Sequence, residues 1–224
     1  MGNLYIVSTP IGNLEDITFR AIKTLKEADL ILCEDTRQTK KLLSHYEIPT
    51  RTESYHHHSS PEKVEKIIKL LEDGLNIALV SDAGTPGISD PGGKLVEAVL
   101  EKFGKEIKII PIPGPSALAT IVSVSGLPTD KFIFLGFPPH KKGKNKFFEQ
   151  IKSFDFPAVY YESPYRLLKN LELVKEILPE KKIVLGRELT KIFEEVVRGS
   201  VDETLEYFKN NKDKVRGEIV IILY

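Results

Sequence analysis

Three short stretches hold residue types suited to cradling a small polar ligand. They are Ser8-Thr9-Pro10-Ile11-Gly12-Asn13, Ser81-Asp82-Ala83-Gly84-Thr85-Pro86-Gly87-Ile88-Ser89-Asp90-Pro91-Gly92-Gly93, and Pro113-Gly114-Pro115-Ser116-Ala117. Each follows an apolar run, at residues 4–8, 77–80 and 107–112. Glycine lets a ligand approach the main chain, and peptide groups left unpaired in loops can hydrogen-bond it. Strand-to-helix turns are rich in Gly, Pro, Asp and Ser for structural reasons alone. The second stretch, at thirteen residues, is long for such a turn, and overlong loops tend to be functional. None of the three has the glycine-lysine spacing of a nucleotide phosphate loop or the G-x-G-x-x-G of a dinucleotide site. ATP hydrolysis and dinucleotide chemistry therefore lose support. The run Tyr55-His56-His57-His58 invites a metal reading, but adjacent strand residues point to opposite faces and no Cys or H-x-x-E-H spacing accompanies it. It reads as a surface or copy-contact segment, and no metal is expected.

The elements that must position these loops are legible in the first half. Residues 17–28 have helical spacing through Ala21, Ile22, Leu25 and Ala28, and residues 30–33 form a second apolar run. Ser60 as N-cap with Pro61 at the first position opens a helix that presents Val64, Ile67, Ile68 and Leu71 on one face and stops at Gly74. A helix over 94–103 ends near Gly104. Apolar strands alternating with amphipathic helices predict a mainly parallel sheet covered on both faces, with the three loops at the carboxyl ends of their strands.

The second half has another rhythm. Strands are expected at 132–137, 158–161, 183–185, 194–199 and 218–223, with one helix capped by Ser163-Pro164 that turns Leu167, Leu168, Leu171, Val174 and Ile177 inward. Fewer helices per strand predict a mixed sheet. Pro111-Ile112-Pro113-Gly114-Pro115 can continue neither helix nor strand, so the fold class is α/β, with domains at 1–112 and 113–224 and a cleft between them. The basic cluster His140-Lys141-Lys142-Gly143-Lys144-Asn145-Lys146 is expected on a loop. Net charge is zero, with 32 basic and 32 acidic residues, which argues against a surface that coats nucleic acid as a whole. The single cysteine, Cys33, permits no internal disulfide and fits a reducing cytoplasm. No apolar run is long enough to span a membrane, and the first residues do not read as a signal peptide.

Several motifs, in order, resemble one family. Thr9-Pro10-Ile11-Gly12-Asn13-Leu14, Cys33-Glu34-Asp35-Thr36-Arg37, the long glycine loop and Pro113-Gly114-Pro115-Ser116-Ala117 are similar to the N-terminal signatures of the ribosomal small-subunit RNA 2′-O-methyltransferase I family, within the tetrapyrrole methylase superfamily. Gly136-Phe137-Pro138-Pro139, Tyr161-Glu162-Ser163-Pro164-Tyr165-Arg166-Leu167, Arg187-Glu188-Leu189-Thr190-Lys191, Arg198-Gly199 and Arg216-Gly217-Glu218 continue the resemblance. Many members carry a further small C-terminal domain beyond the strand matching 217–223, whereas this sequence ends at Tyr224.

The resemblance implies a two-domain homodimer that binds S-adenosylmethionine in its cleft and methylates a cytidine 2′-hydroxyl in the decoding region of 16S RNA, acting on the 30S subunit. The alternatives are methylation of a tetrapyrrole or diphthamide precursor within the same superfamily, or a non-catalytic RNA-binding or ribosome-assembly module. Carried over residue by residue, the cofactor contacts are Ile11, Gly12, Asp82, Gly84, Thr85, Ile88, Ser116 and Ala117, with Tyr161, Leu189 and Ile219 from the second domain. Glu162, Arg166, Glu188 and Lys191 fall in the second-domain motifs. A carboxylate there could take the hydroxyl proton and an arginine could grip a phosphate, or each could be a structural ion pair. No base is named on this reading. In that family context Lys141, Lys142, Lys144 and Lys146 are expected to contact RNA phosphates, a solvated loop being the alternative.

Overall fold

A computed structural model describes residues 1–56, 59–90 and 92–224. His57, His58 and Pro91 lie outside the described residues, and with them most of the histidine run. The fold is α/β, and its contacts divide it into two compact units, Met1–Ser116 and Ala117–Tyr224.

Five strands build the first unit: β1 (Asn3–Val7), β2 (Leu30–Cys33), β3 (Thr52–Ser54), β4 (Ile77–Leu79) and β5 (Lys108–Ile112). Their order is β3-β2-β4-β1-β5, and every pairing between them is parallel. Alternate residues of each strand face opposite sides. Leu4, Leu30, Leu32, Ile77 and Leu79 pack with Ile67 and Leu71 of α3 (Pro61–Glu72) and Leu95 and Val99 of α4 (Gly92–Phe103). Val7, Ile31, Cys33 and Ala78 pack instead with Ala21 and Leu25 of α1 (Phe19–Glu27) and Leu43 of α2 (Thr36–His45). Parallel strands buried on both faces explain why these runs are apolar throughout. Within the expected 17–28 helix, α1 starts two residues later, capped by the Thr18 side chain, which accepts from Ala21 N at 3.0 Å. Ser60 occupies the cap position of α3 without a side-chain capping bond.

The second unit opens with α5 (Ala117–Val124), then β6 (Ile133–Phe134), α6 (Lys144–Glu149), β7 (Ala158–Glu162), α7 (Leu167–Ile177), β8 (Lys182–Arg187), β9 (Glu195–Ser200), α8 (Val201–Asn210) and β10 (Ile219–Leu223). The strand order is β6-β7-β10-β8-β9, with β6 parallel to β7 and the other pairs antiparallel, so the sheet is mixed as expected. Phe148, Tyr160, Leu171, Leu205, Phe208 and Ile221 anchor its core.

Three sequence expectations need correction here. The strand expected over 132–137 is two residues long, because Gly136 adopts φ +65°, although Tyr161 N still reaches Gly136 O at 2.9 Å. Ser163-Pro164 do not cap α7: they form a turn closed by Arg166 N to Ser163 O at 2.9 Å, and Arg166 is the N-cap. The basic cluster is not all loop, since Lys144 and Lys146 stand on α6. Gly143 at φ +91° starts that helix, and buried Phe147 and Phe148 pin it to the core, a pull that the neighbouring lysines conceal in the sequence.

Candidate active site

In the first unit the three glycine loops leave β1, β4 and β5, which are adjacent in the sheet and parallel, so all three emerge at one carboxyl edge. That edge is where open α/β sheets take ligands. The loops are stitched together before any ligand is considered. Thr9 and Gly84 exchange backbone hydrogen bonds of 2.9 and 3.0 Å, and the Thr9 hydroxyl donates to Ser81 O at 3.1 Å. Ser8 Oγ and Thr85 Oγ1 lie 2.9 Å apart, and Thr85 Oγ1 donates to Pro115 O at 3.1 Å. Thr85 thus bridges the first and third loops.

Gly84 is at φ +81°, a left-handed conformation that disfavours any side chain. A Cβ there would stand 3.3 Å from Ile11 Cγ2 and 3.7 Å from Pro115 O, between the two neighbouring loops. Asp90 shapes the far end of the second loop: its Oδ1 accepts from Gly87 N and Gly92 N, both at 2.7 Å.

Asp82 performs a task the sequence did not announce. Its Oδ1 accepts from Asp35 N at 2.9 Å, which ties the second loop to the segment after β2. Asp35 in turn is the N-cap of α2 and holds the Arg37 guanidinium through both carboxylate oxygens. Its hydrogen bonds from the Arg37 side chain and backbone bring its carboxyl down to about 2. Glu34 lies close to Tyr55, Pro86 and Asp90. Burial pushes its carboxyl up, and repulsion from Asp82 and Asp90 adds to the effect. The edge therefore offers exposed Gly12, buried Ile11, half-buried Ile88 and an acidic rim. Such a donor set suits a ligand with a flat apolar part and a cationic part. Gly12 and Asp82 are exposed on it, while Ser116 ends the third loop and Ala117 begins α5.

The second-unit candidates fall into two clusters. Glu162 is buried, and its carboxylate accepts from Ser163 N at 2.7 Å and from Asn170 Nδ2 at 2.5 Å, with the Arg166 guanidinium 3.3 Å away. Arg166 also donates to Pro138 O at 2.8 Å. Glu188 Oε1 accepts from Lys191 Nζ at 2.8 Å and from Glu218 N at 2.9 Å, and Lys191 reaches the Glu218 carboxylate at 3.2 Å. Burial pushes the Glu188 carboxyl up, but Lys191 and the Glu218 amide outweigh it and leave the group below its ordinary value. Gly217 is at φ +82°, and a Cβ on it would meet the Glu188 carboxyl at 2.4 Å. All four residues are committed to internal partners. The Tyr161 ring packs against Phe134 and Phe137 at 4.9 and 5.4 Å, Leu189 lies under Gly186, and Ile219 belongs to the core with ladder partners on both sides. Among the described residues no group of His, Cys, Asp and Glu could hold a metal, and no helix is long and apolar enough to cross a membrane.

Two connections escaped the sequence reading. Asn170 has no local signature, because its role comes from the turn that folds it onto Glu162. Helix α8 did have one: Ser200 and Glu203 form a reciprocal capping box ahead of Leu205 and Phe208.

Comparison with known proteins bears on this arrangement. The profile of the tetrapyrrole (corrin/porphyrin) methylases matches residues 3–205. A protein of Halalkalibacterium halodurans, named ribosomal RNA small subunit methyltransferase I, is 47% identical over 99% of this chain and 75% of its own length. One of the same name from Thermotoga maritima is 46% identical over 100% of this chain and 98% of its own. Among solved structures, a diphthine synthase superposes with a TM-score of 0.75 at 14% identity, covering 99% of this chain and 90% of that one. The uroporphyrin-III C-methyltransferase of Thermus thermophilus, in complex with S-adenosylhomocysteine, reaches 0.65 at 18% identity, covering 99% and 97%.

Proposed function

This chain belongs to the tetrapyrrole (corrin/porphyrin) methylase family and, within it, to the ribosomal RNA small subunit methyltransferase I group, and from that premise we propose that it transfers a methyl group from S-adenosylmethionine to a cytidine 2′-hydroxyl of 16S RNA in the 30S subunit. The observation that carries this reading is near-end-to-end identity of 46–47% with proteins of that name. The carboxyl edge of the first sheet fits the methyl donor: Ile11, Gly12, Gly84, Thr85, Ile88 and Ser116 lie on its three loops, and the Asp82 and Glu34 carboxylates suit a cationic ligand. A homodimer and a cytoplasmic location belong to the same proposal.

S-adenosylmethionine supplies a methyl group already activated on a sulfonium. What remains for the protein is to hold the ribose oxygen about 3 Å from that carbon, in line with the departing sulfur, and to exclude water. The glycine loops give that task a rigid floor, because Thr85 and the Thr9–Gly84 pair lock them to one another. Backbone amides and cationic side chains already occupy the carboxylates of both Glu162 and Glu188. We assign them to shaping the second unit.

The direct test incubates the purified chain with labelled S-adenosylmethionine and 30S subunits, then maps the label by mass. Label on one cytidine ribose is the expected result. Transfer to uroporphyrinogen with none to RNA would overturn the reading.

Lys141, Lys142, Lys144 and Lys146 are the proposed phosphate contacts, and among the described residues none pairs with a carboxylate. Replacing all four by Gln should flatten the logarithmic salt dependence of RNA binding by roughly two to three units, at about 0.7 to 0.9 per phosphate released. Affinity for S-adenosylmethionine should not change. A wild-type slope in the fourfold variant would assign these lysines to solvent.

A further inference from the structure

Of the aromatic rings the second unit exposes, Tyr165 stands furthest out, in a way its packing does not require. Tyr165 is 97% exposed, yet the backbone beneath it is held from several directions. Pro164 restricts the preceding residue, Arg166 N closes the turn onto Ser163 O at 2.9 Å, and Ser163 N is bound by the Glu162 carboxylate at 2.7 Å. The next side chain, Arg166, is clamped between Glu162 and Pro138 O. An exposed ring on a floppy loop would be ordinary. On a fastened turn the backbone that carries the ring has little freedom left to lose on binding.

Arg166 also ties that turn to a second segment. By gripping Pro138 O it fastens the Tyr165 turn to the segment that runs directly into Lys141 and Lys142 and then into α6 with Lys144 and Lys146. Phe137, half-exposed and packed on Tyr161 at 5.4 Å, precedes the gripped carbonyl. One short stretch of the second unit thus joins a presented aromatic ring to four cationic side chains, with no acidic residue between Pro138 and Phe148.

We propose that Tyr165 is a base-stacking residue for single-stranded RNA, seating one unpaired nucleobase of the substrate while the adjoining lysines take its flanking phosphates. The proposal rests on the RNA methyltransferase reading and deepens it by naming how the substrate strand is held. Charge complementarity selects RNA as the occupant of the surface, and the ring selects an unpaired base, because a base inside a helix has both faces covered. Sequence-tolerant stacking of this kind suits an enzyme whose target is a ribose, since every base has a face to offer.

The chain contains no tryptophan, so Tyr165→Trp introduces a sole reporter. Its fluorescence should be quenched on titration with a fluorescein-free oligocytidylate RNA of about twelve nucleotides, in step with binding followed independently by sedimentation. Tyr165→Ala should weaken binding of the same RNA between about fivefold and a hundredfold, and Tyr165→Phe should retain it. S-adenosylmethionine binding by calorimetry should be the same in all three. Unquenched tryptophan in a complex that forms would overturn the proposal, as would a Tyr165→Ala chain that binds RNA like the wild type. Conversion of a wild-type dimer to monomers by Tyr165→Ala, with RNA affinity per chain unchanged, would reassign the ring to a second copy and overturn it too. Methylation of 30S subunits by the wild-type chain is measured alongside. Its absence refutes the function reading itself, whereas full activity in both wild type and Tyr165→Ala refutes only the stacking role.

Discussion

A Gly84→Val variant is expected to remain folded and to bind S-adenosylmethionine at least tenfold more weakly, a loss of about 1.4 kcal/mol or more. Two causes add. Gly84 sits at φ +81°, where a β-branched residue is strained by about 1–3 kcal/mol, and the loop relieves that strain by rotating its backbone. Such rotation breaks the paired hydrogen bonds between Gly84 and Thr9. The new side chain would also project from a Cβ only 3.3 Å from Ile11 Cγ2, forcing the first loop away from the third. Neither cause touches the strands or the two apolar layers, so thermal unfolding should move by far less than a core cavity would move it. Gly84→Ala should fall between wild type and Val. Calorimetric titration beside thermal melts reads both quantities, and undiminished affinity in folded Gly84→Val would remove the second loop from the ligand site.

The second large effect is expected from Arg166→Ala, and it is structural before it is catalytic. The Glu162 side chain is 0% exposed and that of Arg166 13%, with 3.3 Å between their charged atoms. Removing one partner of a buried pair leaves the other charge uncompensated, at a cost of about 3–5 kcal/mol. The second unit should then melt on the order of 10 °C earlier. Pro138 O loses its donor at the same time, so the basic segment loosens and turnover on RNA should fall even below the transition. The glycine loops hold together through their own bonds, so S-adenosylmethionine affinity should persist at temperatures where the chain stays folded. Pairing the change with Glu162→Gln should recover much of the lost stability, because the stranded charge is then gone. An unshifted melt in the single variant would show that the pair contributes nothing.

Much of the fold was open to sequence reading because its signals are local. Runs such as Leu30-Ile31-Leu32-Cys33 and Ile77-Ala78-Leu79 are apolar at every position, which only strands buried on both faces require. Other elements were hidden for physical reasons. Strand β3 is Thr52-Glu53-Ser54, a polar edge strand whose place is set by pairing with β2. Helix α2 begins Thr36-Arg37-Gln38 and buries only Thr39, Leu42 and Leu43, too narrow a stripe to announce itself. Helix α6 hides in a lysine-rich segment because two adjacent phenylalanines, not a periodic face, hold it.

The sequence by itself determined the α/β class, the parallel and mixed sheets, the family and the loops that bear the glycines, since each of these depends on short-range pattern and residue type. Only the tertiary structure decided which of those loops share an edge and what the charged residues do. Strand order β3-β2-β4-β1-β5 makes neighbours of segments far apart in sequence, and so lets Thr85 join Ser8, 77 residues away, to Pro115, 30 away, and lets Asp82 hold Asp35, 47 away. Glu162 is of a type that suggests a proton acceptor, but the fold of its own neighbourhood buries it beside Ser163 N, Arg166 and Asn170, all within eight residues, and makes it a bracket for the turn that presents Tyr165. Residue type sets what a side chain is able to do, but the partners that occupy its oxygens are assigned by the folded turns and the strand order around it, which residue type does not encode.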